Sequence, residues 1–468
     1  MIKILFLDYR PLETVEGLER RLERPRKHRA NPVLVSDHPA EGDSMSMYGS
    51  VVRRDDGLFQ MWYTVKHPTR GGALAYAQSD DGLLWRRPML DVVRYRRGRT
   101  HLVFDKSPHG STIIYDVAES RPGWKYKMLT GAAPSQRICG FRSGDGIQWT
   151  PVSENPVTGS NPDCPMSLHR AVDGRYVAYH RPAFGDRRVA RAESWDFLHW
   201  SEPKIVVDQE PGDPPQTQFY GMGAIPYGEH EIGTLWIYRT LAENMDFYKM
   251  RGGQQHAELA YCRSGHAWHR AEAGTPYIPH GAKGAWDGGC LQAASAPVLL
   301  EREVRFYFAG MRTLHGQHGE YTGKAPRCGI GLACCQPDRF VGLVAGRRRG
   351  RLLTRPFWTE TPLFFVNAAV ARGGLVRAAV LDLQGKPIKG FGLADCVPVT
   401  GDGLAQRLAW RGGPNASPLA NRQIRLQVEA RDARLYSLFA GSEAESARYW
   451  EFRIPHFLGM DAEKRRRG

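Results

Sequence analysis

Apolar and polar residues alternate with a period of two along most of this chain. The alternating runs are short and are closed by Gly, Asp, Asn or Pro, the pattern of antiparallel strands joined by tight turns. Between Glu41 and Trp85 four such runs follow one another: Ser46–Val52, Leu58–Val65, Ala73–Gln78 and the brief Leu83–Arg86. Asp55-Asp56-Gly57 and Ser79-Asp80-Asp81-Gly82 supply the turns. Four antiparallel strands in sequence make one blade of a β-propeller.

The unit recurs. Ser111–Asp116, Trp124–Leu129 and Arg137–Arg142 begin a second unit, and Met166–Ala171, Arg175–His180 and Val189–Glu193 a third. Tyr220–Pro226, Gly233–Arg239 and Ala257–Cys262 begin a fourth, and Leu291–Leu300, Val304–Ala309 and Gly329–Ala333 a fifth. The period is roughly fifty to seventy residues, irregular because the loops differ in length. In three units the third strand runs into Ser-x-Asp-(Gly/Phe)-x-x-Trp, at Ser79/Asp81/Trp85, Ser143/Asp145/Trp149 and Ser194/Asp196/Trp200. The Asp side chain closes the turn and Gly takes the positive-φ position, so the motif is structural, with its Trp placed to pack between blades.

Past residue 350 the texture changes. Leu363–Asn367, Leu375–Leu383, Gln406–Trp410, Ile424–Ala430 and Arg434–Phe439 alternate without the blade motif, and Asp382–Pro387 is a hairpin turn. This predicts a β-sandwich of about a hundred residues. The expected fold is therefore all-β: a five-bladed propeller over residues 1–350 and a β-sandwich with a basic tail over residues 351–468. The propeller would open with a strand at Ile2–Leu7 and a short helix at Glu13–Arg24, where Val15, Leu18 and Leu22 fall near helical spacing.

Composition adds limits. The chain has 468 residues, 42% hydrophobic and 24% charged, which suits a soluble protein of two or three domains. The net charge of +15 gathers at Arg94–Arg99, Arg347–Arg351 and Lys464–Arg467. No RNP, zinc-finger or helix-turn-helix pattern accompanies these clusters, so nucleic acid is not the expected partner. A sugar or glycoside is, and an anionic sugar makes better use of the charge. The eight cysteines contain no CxxC pair and read as reduced thiols of a cytoplasmic protein. The start MIKILFLDYRPLE does not read as a signal peptide, and no apolar run is long enough to span a membrane.

The chain resembles the clan of glycoside hydrolase families 32 and 68, whose members join five blades to a β-sandwich; family 43 shares the propeller. It is most similar to bacterial proteins assigned as family-32-like glycosyl hydrolases. The resemblance lies in Leu5–Arg10, Asn31–Leu34, Tyr48–Val51 and Phe59–Tyr63 of the propeller. In the sandwich it lies in Leu381-Asp382, Gly385–Ile388, Gly390-Phe391, Asp395-Cys396, Gly401-Asp402 and Ala433–Tyr436. The relatives' Trp-Glu-Gly is Ala40-Glu41-Gly42 here. The family-32 Trp-Met-Asn-Asp-Pro-Asn-Gly, Arg-Asp-Pro and Glu-Cys motifs are absent, so fructan cleavage does not carry over.

What the resemblance implies is glycoside cleavage, by a hydrolase or a transglycosidase. That chemistry needs two carboxyl groups flanking the bond, one as acid and one as base or nucleophile. In a propeller, polar residues just before the innermost strands converge on one funnel. Glu41, Asp43, Asp163 and Asp287 occupy those positions and form the candidate catalytic set, with Glu41 facing Asp163 or Asp287. Each has an alternative role as a turn cap or a solvated loop acid. Asp116, farther along its strand, reads as structural.

His109, Arg181, Tyr220, Arg239, Trp286, His315 and His318 are the candidate substrate-binding residues. Arg181 and Arg239 each follow an aromatic strand, where a guanidinium can hold a carboxylate or phosphate, or else bridge two blades. Trp62 and Trp236 read as core. His315, His318 and Glu320 lie in a Gly-rich loop rather than on a helix, so no metal is expected, and no cofactor motif is present. The alternatives to hydrolysis are an inverting glycoside phosphorylase, a non-catalytic carbohydrate-binding propeller and a scaffold for protein partners.

Overall fold

The computed structural model describes residues 1–468 except 69–70, 133–136, 154, 156, 158–163, 183–185, 240–252, 264, 316–326, 413–416 and 458–468. It is an all-β chain. Three four-stranded sheets come first, followed by a ten-stranded sheet made of two meanders. A single parallel pair, Gln255 with Cys290, joins those two meanders. The meanders begin with the strands Met45–Arg53, His109–Tyr115, Cys164–Arg170, Thr217–Tyr227 and Cys290–Ala293.

These first strands, and the residues that extend them, bond to one another around a ring. The Ile113 N–H donates to Ser50 Oγ, and the Ser167 hydroxyl donates to the Ala224 carbonyl. The Ala224 N–H donates to the Ser295 carbonyl and the Ser295 N–H to the Gly49 carbonyl, while the Ser50 and Ser295 hydroxyls bond at 2.6 Å. The meanders follow one another in cyclic order, the last bonded back to the first, as the blades of a β-propeller do. The last meander is closed by the N-terminal strands Arg26–Lys27 and Leu34–Val35, which pair with Cys328–Cys335.

The repeated turns work as their residues dictate. Asp81 Oδ1 accepts from the N–H groups of Leu83 and Leu84, and Asp145 and Asp196 repeat the pattern. Gly82 (φ 73°) and Gly146 (φ 76°) also meet the neighbouring blade. Tyr307 Oη donates to the Gly82 carbonyl and Trp62 Nε1 to the Gly146 carbonyl, each at 2.8 Å. A Cβ at either glycine would lie within 2.6 Å of that aromatic side chain. Of the motif's tryptophans, Trp85 packs edge-on against Tyr307 of the fifth blade, whereas Trp200 bonds back to Phe197 of its own turn.

The second unit is a nine-stranded sheet built on two long strands, Phe364–Leu381 and Arg422–Ala440. Their pairing shifts register between Val370 and Leu375, and they enclose a core that includes Val366, Val376, Val428 and Leu435. Here the structure corrects one sequence expectation. Glu13–Arg24 is not a helix but two strands, Leu12–Glu16 and Leu18–Leu22, turned at Gly17. They pair with Gly350–Thr354 and Val341–Ala345 of the second unit. The weak helical spacing of Val15, Leu18 and Leu22 was outweighed by Gly17, which takes φ 63° and breaks any helix there. Ile2–Leu5 also pairs with Arg422–Ala440, so the chain starts in the second unit before crossing to close the propeller.

That crossing is fixed by a buried ion pair. Lys3 Nζ lies 3.0 Å from both carboxylate oxygens of Asp338 and 2.9 Å from the Tyr449 carbonyl. Tyr227 Oη and Ser437 Oγ also donate to Asp338, at 2.6 and 2.7 Å. Burial pulls the Lys3 ammonium below its ordinary value, with Asp338 opposing. Removing one partner of such a pair strands the other's charge and costs about 3–5 kcal/mol. Lys3→Met should therefore destabilise the protein by about that much in urea unfolding, and Asp338→Asn added to it should recover a large part.

Candidate functional site

The inner strands are irregular where they meet the centre of the ring. Register shifts fall between Ser46 and Ser50, His109 and Ser111, Pro165 and Ser167, and Phe219 and Gly221. A bulge leaves a residue unpaired and re-aims its side chain. Tyr48 and Tyr220 are such residues, and Gly110, at φ 69° and packed on Cys164, is another.

The two tyrosines build an aromatic and cationic cluster. Tyr48 lies 5.6 Å from Trp236 and 6.1 Å from His109, ring centre to ring centre. Tyr220 packs on Tyr238 at 5.7 Å and on His315 at 5.1 Å, and its hydroxyl is 2.9 Å from His315 Nε2. Two guanidinium groups cover the Tyr220 ring, Arg181 at 4.9 Å and Arg187 at 4.8 Å. Arg181 also donates to the Tyr220 carbonyl and Arg187 to Gln218 Oε1. Burial beside Tyr220 and Cys164 pushes the Tyr48 phenol well above its ordinary value, so it stays a neutral hydroxyl. Arg187 Nε and Trp236 Nε1 are buried donors without a hydrogen-bond partner among the described residues.

His109, Arg181, Tyr220 and His315 thus lie in one cluster. Arg239, one residue beyond Tyr238, places its guanidinium beside Gly274 instead. Trp286 stacks on Phe308 and covers the face of the fifth blade. His318 lies outside the described residues.

Of the four candidate carboxylates, the three that are described, Glu41, Asp43 and Asp287, pair elsewhere than with this cluster. Asp163 lies outside the described residues, directly before Cys164. Asp43 is exposed and pairs with Arg327 at 2.9 Å. Asp287 is buried against Lys27, on the N-terminal strand that closes the fifth blade. Glu41 ends a 3₁₀ turn, Pro39–Glu41, and is fully buried. It accepts from Tyr63 Oη at 2.6 Å, Arg87 Nε at 3.0 Å and His101 Nε2 at 2.9 Å. The N–H groups of Asp37 and His38 donate to its other oxygen. Burial alone would raise its pKa, but the bonds from His101, Arg87 and Tyr63 outweigh it and bring the carboxyl to about 2.

Glu41 is therefore a charged anchor whose lone pairs are occupied, holding the turn before the first inner strand against Arg87. Tyr48, Arg187 and Tyr238 were not legible as site residues: a register shift that depends on strand pairing places Tyr48, and Tyr238 lies in a regularly paired strand that reads as core. A basic pair, Arg187-Arg188, between two strands was the only local signal.

No family model matches the chain, and no curated protein does. Among solved structures it is similar to an N-acetylgalactosamine deacetylase from F. plautii, at 12% identity and a TM-score of 0.45, over 69% of this chain and 97% of that one. A structure from work on the family 130 mannoside phosphorylases, which contain glycoside hydrolases that target β-1,2 mannosidic linkages in Candida mannan, matches at 15% and 0.45, over 69% and 95%. A glycosyl hydrolase from Bacteroides ovatus gives the same identity, coverage and score. Likeness at that level carries no activity over to this chain.

The folded-state pKa of Glu41 lies below its ordinary 4.5, so its contribution to stability is complete above about pH 4.5 and is lost as the pH falls towards 2. The shift corresponds to about 3 kcal/mol. Unfolding titrations between neutral pH and pH 3 should show this loss, and Glu41→Gln should lower stability at neutral pH while flattening the acid limb.

Proposed function

We propose that the protein is a carbohydrate-active enzyme that cleaves a glycosidic bond at the Tyr48–Tyr220 cluster, with Arg181 and Arg187 holding an anion beside the bond. The observation that supports this reading is the pair of guanidinium groups packed on the Tyr220 ring, with the buried Arg187 Nε left without a hydrogen-bond partner among the described residues. Guanidinium forks suit tetrahedral and planar oxyanions. Tyr220 and His315 add a hydroxyl and an imidazole within hydrogen-bond distance of each other.

An anion so placed favours phosphorolysis as the form of cleavage. Phosphate then attacks where water would, and one carboxylic acid suffices to protonate the leaving oxygen. Asp163, which directly precedes Cys164 in the sequence, is the carboxyl proposed for that role. Hydrolysis by paired carboxylates, or sugar binding without turnover, are the competing readings. A cytoplasmic location belongs to the proposal and rests on the cysteine spacing.

A panel of glycosides, uronosides included, assayed with and without inorganic phosphate tests it. Turnover should require phosphate and yield a sugar 1-phosphate. Arg181→Ala should cost about 2 kcal/mol or more, roughly a 30-fold loss of kcat/KM, without lowering the melting temperature. Phosphate-independent release that survives Arg181→Ala would return the reading to hydrolysis; a silent panel with sugar binding intact would make the protein a binding module.

A further inference from the structure

A groove of about 1220 Å³ runs between the propeller and the second unit, far larger than one sugar needs. One wall is the N-terminal segment that closes the fifth blade, together with the Glu301-Arg302 turn. The other is formed by the two long strands, with small aliphatic residues such as Ala369, Val370 and Ala433. Its acids are largely neutralised within the protein. Glu23 pairs with Arg434, Asp402 with Arg339 and Glu303 with Arg305. Four exposed arginines, Arg24, Arg26, Arg29 and Arg302, line the groove without an ion pair among the described residues, against one unpaired acid, Asp432.

We propose that this groove is a second binding site, for a linear anionic oligosaccharide. Arg24 and Arg26, two residues apart, are both exposed and line the groove, while Lys27 pairs with Asp287. Side chains two apart on a strand repeat about every 6.6 Å, which presents a row of cations to a chain of regularly spaced carboxylates or sulfates. Neutral sugars are usually met by an exposed aromatic platform. Tyr436, the groove's aromatic residue, is buried and already covered by Arg339 at 4.6 Å. The choice of a saccharide over another polyanion rests on the carbohydrate reading of the propeller; the excess of free arginines does not.

Binding of the full-length protein to a short oligogalacturonate, to a neutral oligosaccharide of equal length and to a short single-stranded DNA, measured by calorimetry over a range of salt, is the test. The oligogalacturonate should bind and the neutral chain should not, with log K falling linearly against log salt. Arg24→Ala, Arg26→Ala and Arg302→Ala together should weaken binding by about ten-fold or more and reduce the salt slope by about one per arginine. Replacing the same three by Lys should keep most of the affinity. Should the triple alanine protein fold poorly, Arg302→Ala alone should still lower both affinity and slope.

No oligogalacturonate binding, binding unchanged in the alanine variants, or tighter binding to the DNA would each overturn the proposal. Arg181→Ala with Arg187→Ala separates the two sites. Groove binding should persist in that variant whether or not the central cluster is catalytic. Its loss would put the oligogalacturonate at the cluster and remove the groove site.

Discussion

The architecture depends on one buried carboxylate. Asp338 follows the last full strand of the fifth blade and collects the Lys3 ammonium, the Tyr227 phenol and the Ser437 hydroxyl. These groups come from the first strand, the fourth blade and the second unit. The charge is affordable in the interior only because every donor is present. Once Lys3 is fixed, the chain's start lies in the nine-stranded sheet, and the residues after it must cross to reach the fifth blade. That route sets the two features of functional interest along the N-terminal segment. It lays Arg24–Arg29 along the inter-unit groove, and it delivers the turn at Pro39–Glu41 to the entrance of the first inner strand.

Glu41 was read from the sequence as a candidate acid or base, and in the fold its lone pairs are taken up by Tyr63, Arg87, His101 and two backbone N–H groups. A carboxylate before the first inner strand of a propeller reads as an acid or base. Its surroundings are those of an anchor: three side-chain donors, two backbone donors and a pKa near 2 leave no proton to give at neutral pH. Neither Tyr63, Arg87 nor His101 is adjacent to Glu41 in sequence, so only the fold could disclose the knot. Among the described residues the cluster around Tyr48 and Tyr220 is instead aromatic and cationic, with Arg181 and Arg187 both packed on the Tyr220 ring.

Much of the fold was legible because its signals are local. Ser79, Asp81 and Gly82 form their turn through bonds spanning two or three residues, and the same bonds recur at Ser143 and Ser194. The strands alternate because each sheet has two distinct faces. His109, Arg181 and Tyr220 stand at or near strand ends, which the alternation pattern marks out. What escaped detection depends on distant pairing. Glu13–Arg24 became two strands because Val341–Ala345 and Gly350–Thr354 offered edges to join. Tyr48 reaches the centre through a register shift that requires the neighbouring strand. Arg187 lay in a connection whose destination the sequence does not encode locally.

The account stands or falls on whether the paired guanidinium groups hold an anion. Titration calorimetry of inorganic phosphate into the full-length protein, and into the variant carrying Arg181→Ala and Arg187→Ala, addresses this without knowledge of the sugar. Saturable binding to the wild-type chain that disappears in the double variant, with both proteins melting at the same temperature, is the predicted result. Phosphate binding unaltered by removal of both arginines, or undetectable in the wild-type protein, would contradict it.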